Sequence, residues 1–192
     1  MELIRLTGPR LICREYRQTP EEAEALHAVF GDPETARYLP FEPRGVEECA
    51  DQIGHYLEEA EREPRTYYRL AVVPLADAGD DGEGGVPIGQ AAFTRDGDTA
   101  AFVGYALRRD TWGRGYAGEI TELLCGFGFR TLGLHRLAAR IDPDNTASAR
   151  VVERAGFRLE GRIRHELRVG GSWRDSLQYS LLEPEWAAAR TT

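Results

Sequence analysis

Two strand-to-helix junctions hold most of the residues that could do chemistry. The first reads Trp112-Gly113-Arg114-Gly115-Tyr116-Ala117-Gly118-Glu119. Its three glycines let the backbone turn sharply and come close to a ligand. The first N–H groups of the following helix have no intrahelical acceptor, and the positive end of the helix dipole backs them. Such a nest suits a pyrophosphate, which a side chain at Gly113 or Gly115 would hold away. Arg114 and Arg108 or Arg109 add positive charge at the rim. The run lacks the Lys-Ser/Thr pair of a nucleoside-triphosphate loop. It follows a meander rather than the first strand of a βαβ unit, so it is no dinucleotide fingerprint. Without a ligand it is an ordinary tight turn.

The second junction is Ile141-Asp142-Pro143-Asp144-Asn145-Thr146-Ala147-Ser148. Asn145 carries both an amide donor and an acceptor. The local reading is capping, by Asp144 or Asn145. Ser148 lies one turn in and can bond back to the helix backbone.

The elements that must position these junctions follow from periodicity. Leu11 and Cys13 alternate with Ile12 and Arg14 in a first strand. Thr19-Pro20-Glu21-Glu22 opens a helix with Thr19 as cap and Glu22 in the capping-box position. Val46, Cys49, Ile53, Tyr56 and Leu57 recur at helical spacing, and this helix should end before Pro64. Strands over 66–75, 87–93 and 100–107 make an antiparallel meander. Residues 76–86 form an acidic, Gly-rich loop expected to be mobile. Ile120, Leu123, Leu124 and Phe127 mark a helix, with Gly126 and Gly128 read as permitting close packing on a sheet. A strand over 134–141 and a helix from Asp144 to Gly156 follow. Two strands, 157–167 and 176–182, are joined at Gly170-Gly171. The tail reads as frayed beyond Trp186. The fold class is α/β (α+β), one domain over 1–192 with a mixed sheet.

Composition narrows the function classes. The 192 residues carry 24 Lys+Arg and 32 Asp+Glu, a net charge of −8. That argues against a phosphate-backbone coat, and the arginines from 150 to 168 interleave with glutamates, so no nucleic-acid partner is expected. No segment has the apolar length of a membrane span. Cys13, Cys49 and Cys125 are scattered and read as buried thiols of a reducing, cytoplasmic compartment. The histidines lack metal spacing, and no metal is expected.

On these motifs the chain resembles the GCN5-related N-acetyltransferase (GNAT) superfamily. Within it, the chain is similar to the branch holding the ribosomal-protein alanine N-acetyltransferases. Trp112-x-x-Gly115-x-Ala117 matches the family's pyrophosphate turn, with Trp where Gln or Arg is usual. Asn145 and Ser148 match Asn-x-x-Ser. Gly156, Phe157, Glu160 and Gly161 match Gly-Phe-x-x-Glu-Gly. Gly171, Asp175 and Tyr179 match the branch's late motif. The resemblance implies one mixed, mostly antiparallel sheet flanked by helices. It implies direct acetyl transfer from acetyl-CoA to a primary amine. The strands 100–107 and 135–141 should splay to admit the pantetheine arm. The implied cofactor-binding residues are Leu107, Arg109, Gly113, Arg114, Gly115, Tyr116, Ala117, Gly118, Asn145 and Ser148.

The family's acid, a Tyr on the helix after the Asn, is replaced by Val152. Ser148 is the nearest candidate to hydrogen-bond the departing thiolate, with Asn145 beside it. The base is sought on the strand after Gly161, at His165 or Glu166. Alternation lets only one of the two face a cleft unless a bulge intervenes. Glu119 reads as a helix-dipole residue and Asp175 as a loop-ordering one. The acceptor is a protein N-terminus or a small-molecule amine, and the protein a monomer or homodimer. Val152 also leaves open a non-catalytic acyl-CoA sensor or structural partner of the same fold.

Overall fold

The computed structural model describes residues 3–79 and 84–190. Among the described residues eight strands form one sheet, in the order β1-β2-β3-β4-β5-β6-β8-β7. They are β1 (Arg5–Thr7), β2 (Leu11–Glu15), β3 (Tyr67–Pro74), β4 (Gly89–Asp96), β5 (Ala100–Leu107), β6 (Arg136–Ile141), β7 (Arg158–Val169) and β8 (Ser172–Leu182). Every neighbouring pair is antiparallel except β5 and β6. A parallel pair needs a crossover, and the chain supplies it between these two strands as helix α4 (Tyr116–Gly126).

The other helices are α1 (Pro20–Phe30), α2 (Pro33–Ala36), α3 (Val46–Ala60), α5 (Thr146–Arg154) and α6 (Glu183–Ala188). Residues of α4, α5 and α6 pack with the larger core on one face of the sheet. Residues of α1 and α3 cover the other face over β3 and β5. Among the described residues no helix is long and apolar enough to cross a membrane.

β2 is buried along its whole length rather than alternating, because helices cover both faces at this point. That forces Arg14 inside, where it pairs with Glu22 at 2.7 Å, each side chain 2% exposed. Glu22 therefore turns inward and does not complete the capping box. The Thr19 cap itself stands, its hydroxyl accepting the Glu22 N–H. Gly128 packs as expected: a Cβ there would sit 2.8 Å from a Leu137 methyl carbon. Gly126 meets no such neighbour. The helix instead widens into a π turn over Phe127–Thr131, which buries Phe127 and Phe129.

Two expectations concern segments that the described residues cover in part. Beyond Trp186, where the tail reads as frayed, α6 runs on to Ala188, and the Trp186 indole is buried in the core. In the 76–86 loop, the Gly84 N–H bonds the Ala78 carbonyl and Arg14 reaches the Gly85 carbonyl. Residues 80–83 of that loop, and residues 191–192 of the tail, lie outside the described residues.

A carboxylate near the start of the edge strand β7 ties it across β8 to β6. Glu160 takes two Arg136 guanidinium hydrogens at 2.7 and 2.5 Å and the Ser180 hydroxyl at 2.8 Å. These donors hold its carboxyl down from 4.5 to about 2. A depressed carboxyl stabilises the fold above its unfolded value and loses that contribution as pH falls through the folded one. Glu160→Gln should therefore lower the urea midpoint above about pH 4.5. The gap between parent and variant should close as pH falls toward about 2. Urea titrations of both chains across that range check this.

Candidate active site

The site grows from one feature of the sheet. β5 and β6 pair only from Ala100 to Phe102 against Arg136 to Ala138. Beyond that point β5 stays with β4 as far as Leu107, and β6 stays with β8 as far as Ile141. The two halves of the sheet therefore part, as the resemblance implied. The Arg108 N–H bonds the Ile88 carbonyl on the β4 side. By strand alternation the backbone groups of Tyr105 and Leu107 point the other way, into the gap.

The glycine turn stands at the mouth. Gly113 and Gly115 have φ of 74° and 79°, in the left-handed region where a side chain is strained. The Glu119 N–H makes the first bond of α4, to the Gly115 carbonyl. Among the described residues the amides of Tyr116, Ala117 and Gly118 have no acceptor, which leaves them to receive an anion. A Cβ built at Gly113 or Gly118 meets nothing within 4 Å, so a ligand has open access to the backbone. The exposed Arg109 and Arg114 make no ion pair among the described residues, whereas Arg108 is committed to Asp110 at 2.6 Å. A surface cavity of about 580 Å³ opens here, lined by Asp32, Arg108, Arg109 and Asp110.

Two contacts fix the turn that no sequence pattern announced. The Trp112 indole N–H donates to the Leu107 carbonyl at 2.8 Å, which leaves the Leu107 N–H as the group facing the gap. Glu119 accepts the backbone N–H groups of Arg10 and Leu11 at 2.7 and 2.9 Å and the Arg10 guanidinium at 2.9 Å. Arg10 then donates to the Arg114 carbonyl and covers the Tyr116 ring. Glu119 is thus an anchor for the glycine-led helix.

On the face carrying α4 and α5, the Asn145 side chain accepts the Ser148 N–H at 3.0 Å and caps α5. Its amide hydrogens have no acceptor among the described residues. Ser148 does not bond back to its helix. Its Oγ instead accepts the Tyr105 hydroxyl at 3.2 Å. Val152 is buried in the core. Tyr179 is buried too, and donates to Glu153 at 3.0 Å. Burial first and this carboxylate second push its phenol up.

The opposite face holds the two base candidates and separates them. The pairing of β7 with β8 is irregular between Ile163 and Leu167, and His165 adopts φ 53°. This bulge breaks the alternation assumed for the strand. Asp175 accepts the His165 N–H at 2.9 Å and pairs with Arg162, and these donors hold its carboxyl below the usual range. The exposed His165 ring stacks on Trp173, itself 56% exposed. Glu166 turns to the sheet, where one oxygen meets Arg140 at 2.5 Å and the other is buried without a partner among the described residues. The Arg140 guanidinium lies 4.4 Å from the Phe102 ring centroid, across the root of the splay. Glu166 is therefore brought beside the gap and His165 is not.

A third contact shapes this face. Arg174 of β8 binds the Asp142 carboxylate, the Leu39 carbonyl at 3.0 Å and the Arg37 carbonyl. It ties the connection between α2 and α3 to the end of β6 and the β7–β8 hairpin. No cysteine is poised for covalent chemistry. Cys13, Cys49 and Cys125 are buried, and burial raises their thiols to about 12, 11 and 12.

The whole fold superimposes on solved structures described as acetyltransferases. RimL, described as a ribosomal L7/L12 α-N-protein acetyltransferase in complex with coenzyme A, superimposes with a TM-score of 0.75 at 20% identity. That match covers 94% of this chain and 98% of RimL. The acetyltransferase (GNAT) domain family model matches residues 10–158, and the chain belongs to that family. An N-acetyltransferase of Bacillus licheniformis designated p20 is 29% identical over 170 residues, 87% of this chain and 90% of that protein. The ribosomal protein uS5-alanine N-acetyltransferase of Escherichia coli is 31% identical over 91 residues, 47% of each chain. The protein is an acetyl-transferring enzyme, and the non-catalytic alternative is not favoured.

Asn145→Ala should cost about 1 kcal/mol of stability through loss of the cap, and Asn145→Asp should cost little, since Asp caps equally well. Chemical denaturation of the two variants beside the parent separates the cap from any role of the free amide hydrogens.

Proposed function

We propose that the enzyme takes the acetyl group of acetyl-CoA and passes it directly to a primary amine, with the α-amino group of a polypeptide as acceptor. The observation that carries this is the disposition of groups about the parted strands. The glycine turn, Asn145 and Ser148 lie toward the α4–α5 face, and the Glu166 carboxylate lies toward the other. Donor and acceptor can then meet in the gap from opposite sides.

Each residue has a part in this reading. The amides of Tyr116, Ala117 and Gly118, with Gly113, Gly115, Arg109 and Arg114, hold the pyrophosphate. The Leu107 N–H and the Asn145 amide bond the pantetheine arm in the manner of an added strand. Acetyl-CoA supplies an activated thioester. The Ser148 hydroxyl hydrogen-bonds the sulfur as it leaves. Glu166, one oxygen fixed by Arg140 and the other buried with no partner among the described residues, takes a proton from the substrate ammonium, and the neutral amine then attacks. The inert thiols favour direct transfer over an acyl-cysteine step. The polypeptide acceptor draws support from the two relatives whose names specify protein amino groups.

Gly115→Asp adds a side chain at a left-handed position and an anion beside the phosphates. Calorimetry should find coenzyme A affinity lost in the folded variant, and unchanged affinity would remove the turn from the site. Glu166→Gln should cut kcat by about 10²- to 10⁴-fold, while His165→Ala stays near the parent. Mass spectrometry after incubation with acetyl-CoA, N-terminal peptides and a small-amine panel tests the acceptor. Modification of small amines alone would overturn the polypeptide reading.

A further inference from the structure

The family's phenol is missing from α5, where Val152 is buried in the core. A phenol nevertheless reaches this helix from another element. Tyr105 lies on β5 past the last residue paired with β6, and its hydroxyl donates to Ser148 Oγ at 3.2 Å. The Ser148 N–H is already used on Asn145. The Ser148 hydroxyl proton has no acceptor among the described residues. Ser148 is thus held at its backbone by one contact and at its oxygen by another, with its own proton unspent.

We propose that Tyr105 is a positioning residue for acetyl transfer: by donating to Ser148 Oγ, it aims the Ser148 proton at the leaving sulfur. A hydroxyl that accepts a hydrogen bond is polarised into a better donor. The phenol serves as a donor and not as an acid. Burial raises it above its ordinary range, and the bond to Ser148 only partly offsets this. No proton leaves Tyr105 in the reaction. Once Glu166 has taken the ammonium proton, the amine nitrogen bonds the acetyl carbon, the carbon–sulfur bond breaks with its electron pair on sulfur, and the second nitrogen-bound proton leaves to water. The sulfur keeps the Ser148 hydrogen bond until the product departs and takes its proton from water. This inference rests on the proposed donor and on the proposed role of Ser148.

The test compares the parent with Tyr105→Phe, Ser148→Ala and the double variant, all conservative enough to fold. Kinetics are read on whichever primary amine the parent acetylates, and coenzyme A affinity by calorimetry. Tyrosine labelled at ¹³Cζ is read by NMR in the protein without donor. Tyr105→Phe should lower kcat about five- to tenfold, the worth of one hydrogen bond, with KM and coenzyme A affinity within about twofold. The double variant should be no slower than Ser148→Ala alone. Ser148→Ala should move the resonance that Tyr105→Phe deletes. Parental kcat in Tyr105→Phe would overturn the proposal. So would a full second loss on top of Ser148→Ala, a loss confined to coenzyme A affinity, or an unmoved resonance. A parent that acetylates no amine overturns the inference with the proposed function, and a shifted resonance then locates the failure in that function rather than in the hydrogen bond.

Discussion

The parting of β5 from β6 is the constraint on which the rest of the molecule depends. A strand that leaves its partner exposes a row of backbone donors and acceptors, and buried backbone groups must be paired. Here pairing ends at Phe102 and Ala138. Each strand keeps its outer neighbour, β4 on one side and β8 on the other, so the sheet opens without coming apart. The Trp112 indole satisfies the Leu107 carbonyl at the rim, and Asn145 caps the helix that starts beyond β6. The remaining groups along Tyr105 and Leu107 are an edge to which an extended amide chain can add.

Opening a sheet needs fixed walls, and charged side chains supply them. Glu119 ties the glycine-led helix to the β1–β2 turn. Arg174 joins the α2–α3 connection to Asp142. Arg140 spans the root of the gap from Glu166 to Phe102. Each anchor is a guanidinium or carboxylate bonded to backbone or to an opposite charge, which is stronger and more directional than a neutral contact. The three anchors belong to three different walls of the cleft.

The bulge in β7 is what separates the two base candidates. In a regular strand His165 and Glu166 would alternate about the sheet. Asp175 holds the His165 N–H, the backbone there takes a positive φ, and the imidazole leaves the sheet for Trp173. Glu166 is left facing Arg140, its second oxygen buried with no partner among the described residues. A short irregularity thus assigns one residue to the surface and its neighbour to the gap.

Much of this was legible in the residues. Glycine at 113, 115, 170 and 171 predicts turns, because a side chain at positive φ is strained and glycine has none. Thr19 and Asn145 announce helix starts because their side chains accept orphan N–H groups. Apolar spacing located the long helices and the meander, and ordered motifs carried the family resemblance. Short elements escaped, because β1, α2 and α6 are too brief to show a period. The long-range contacts escaped for a different reason. Tyr105 and Ser148 are 43 residues apart, Arg10 and Glu119 109 apart, and Arg174 and Leu39 135 apart. Local spacing reports only what neighbours along the chain share. The sequence by itself therefore determined the longer elements, the glycine turn and the family. Which side chains meet across the gap was decided by the tertiary structure alone, because only strand order and the bulge bring those distant residues together.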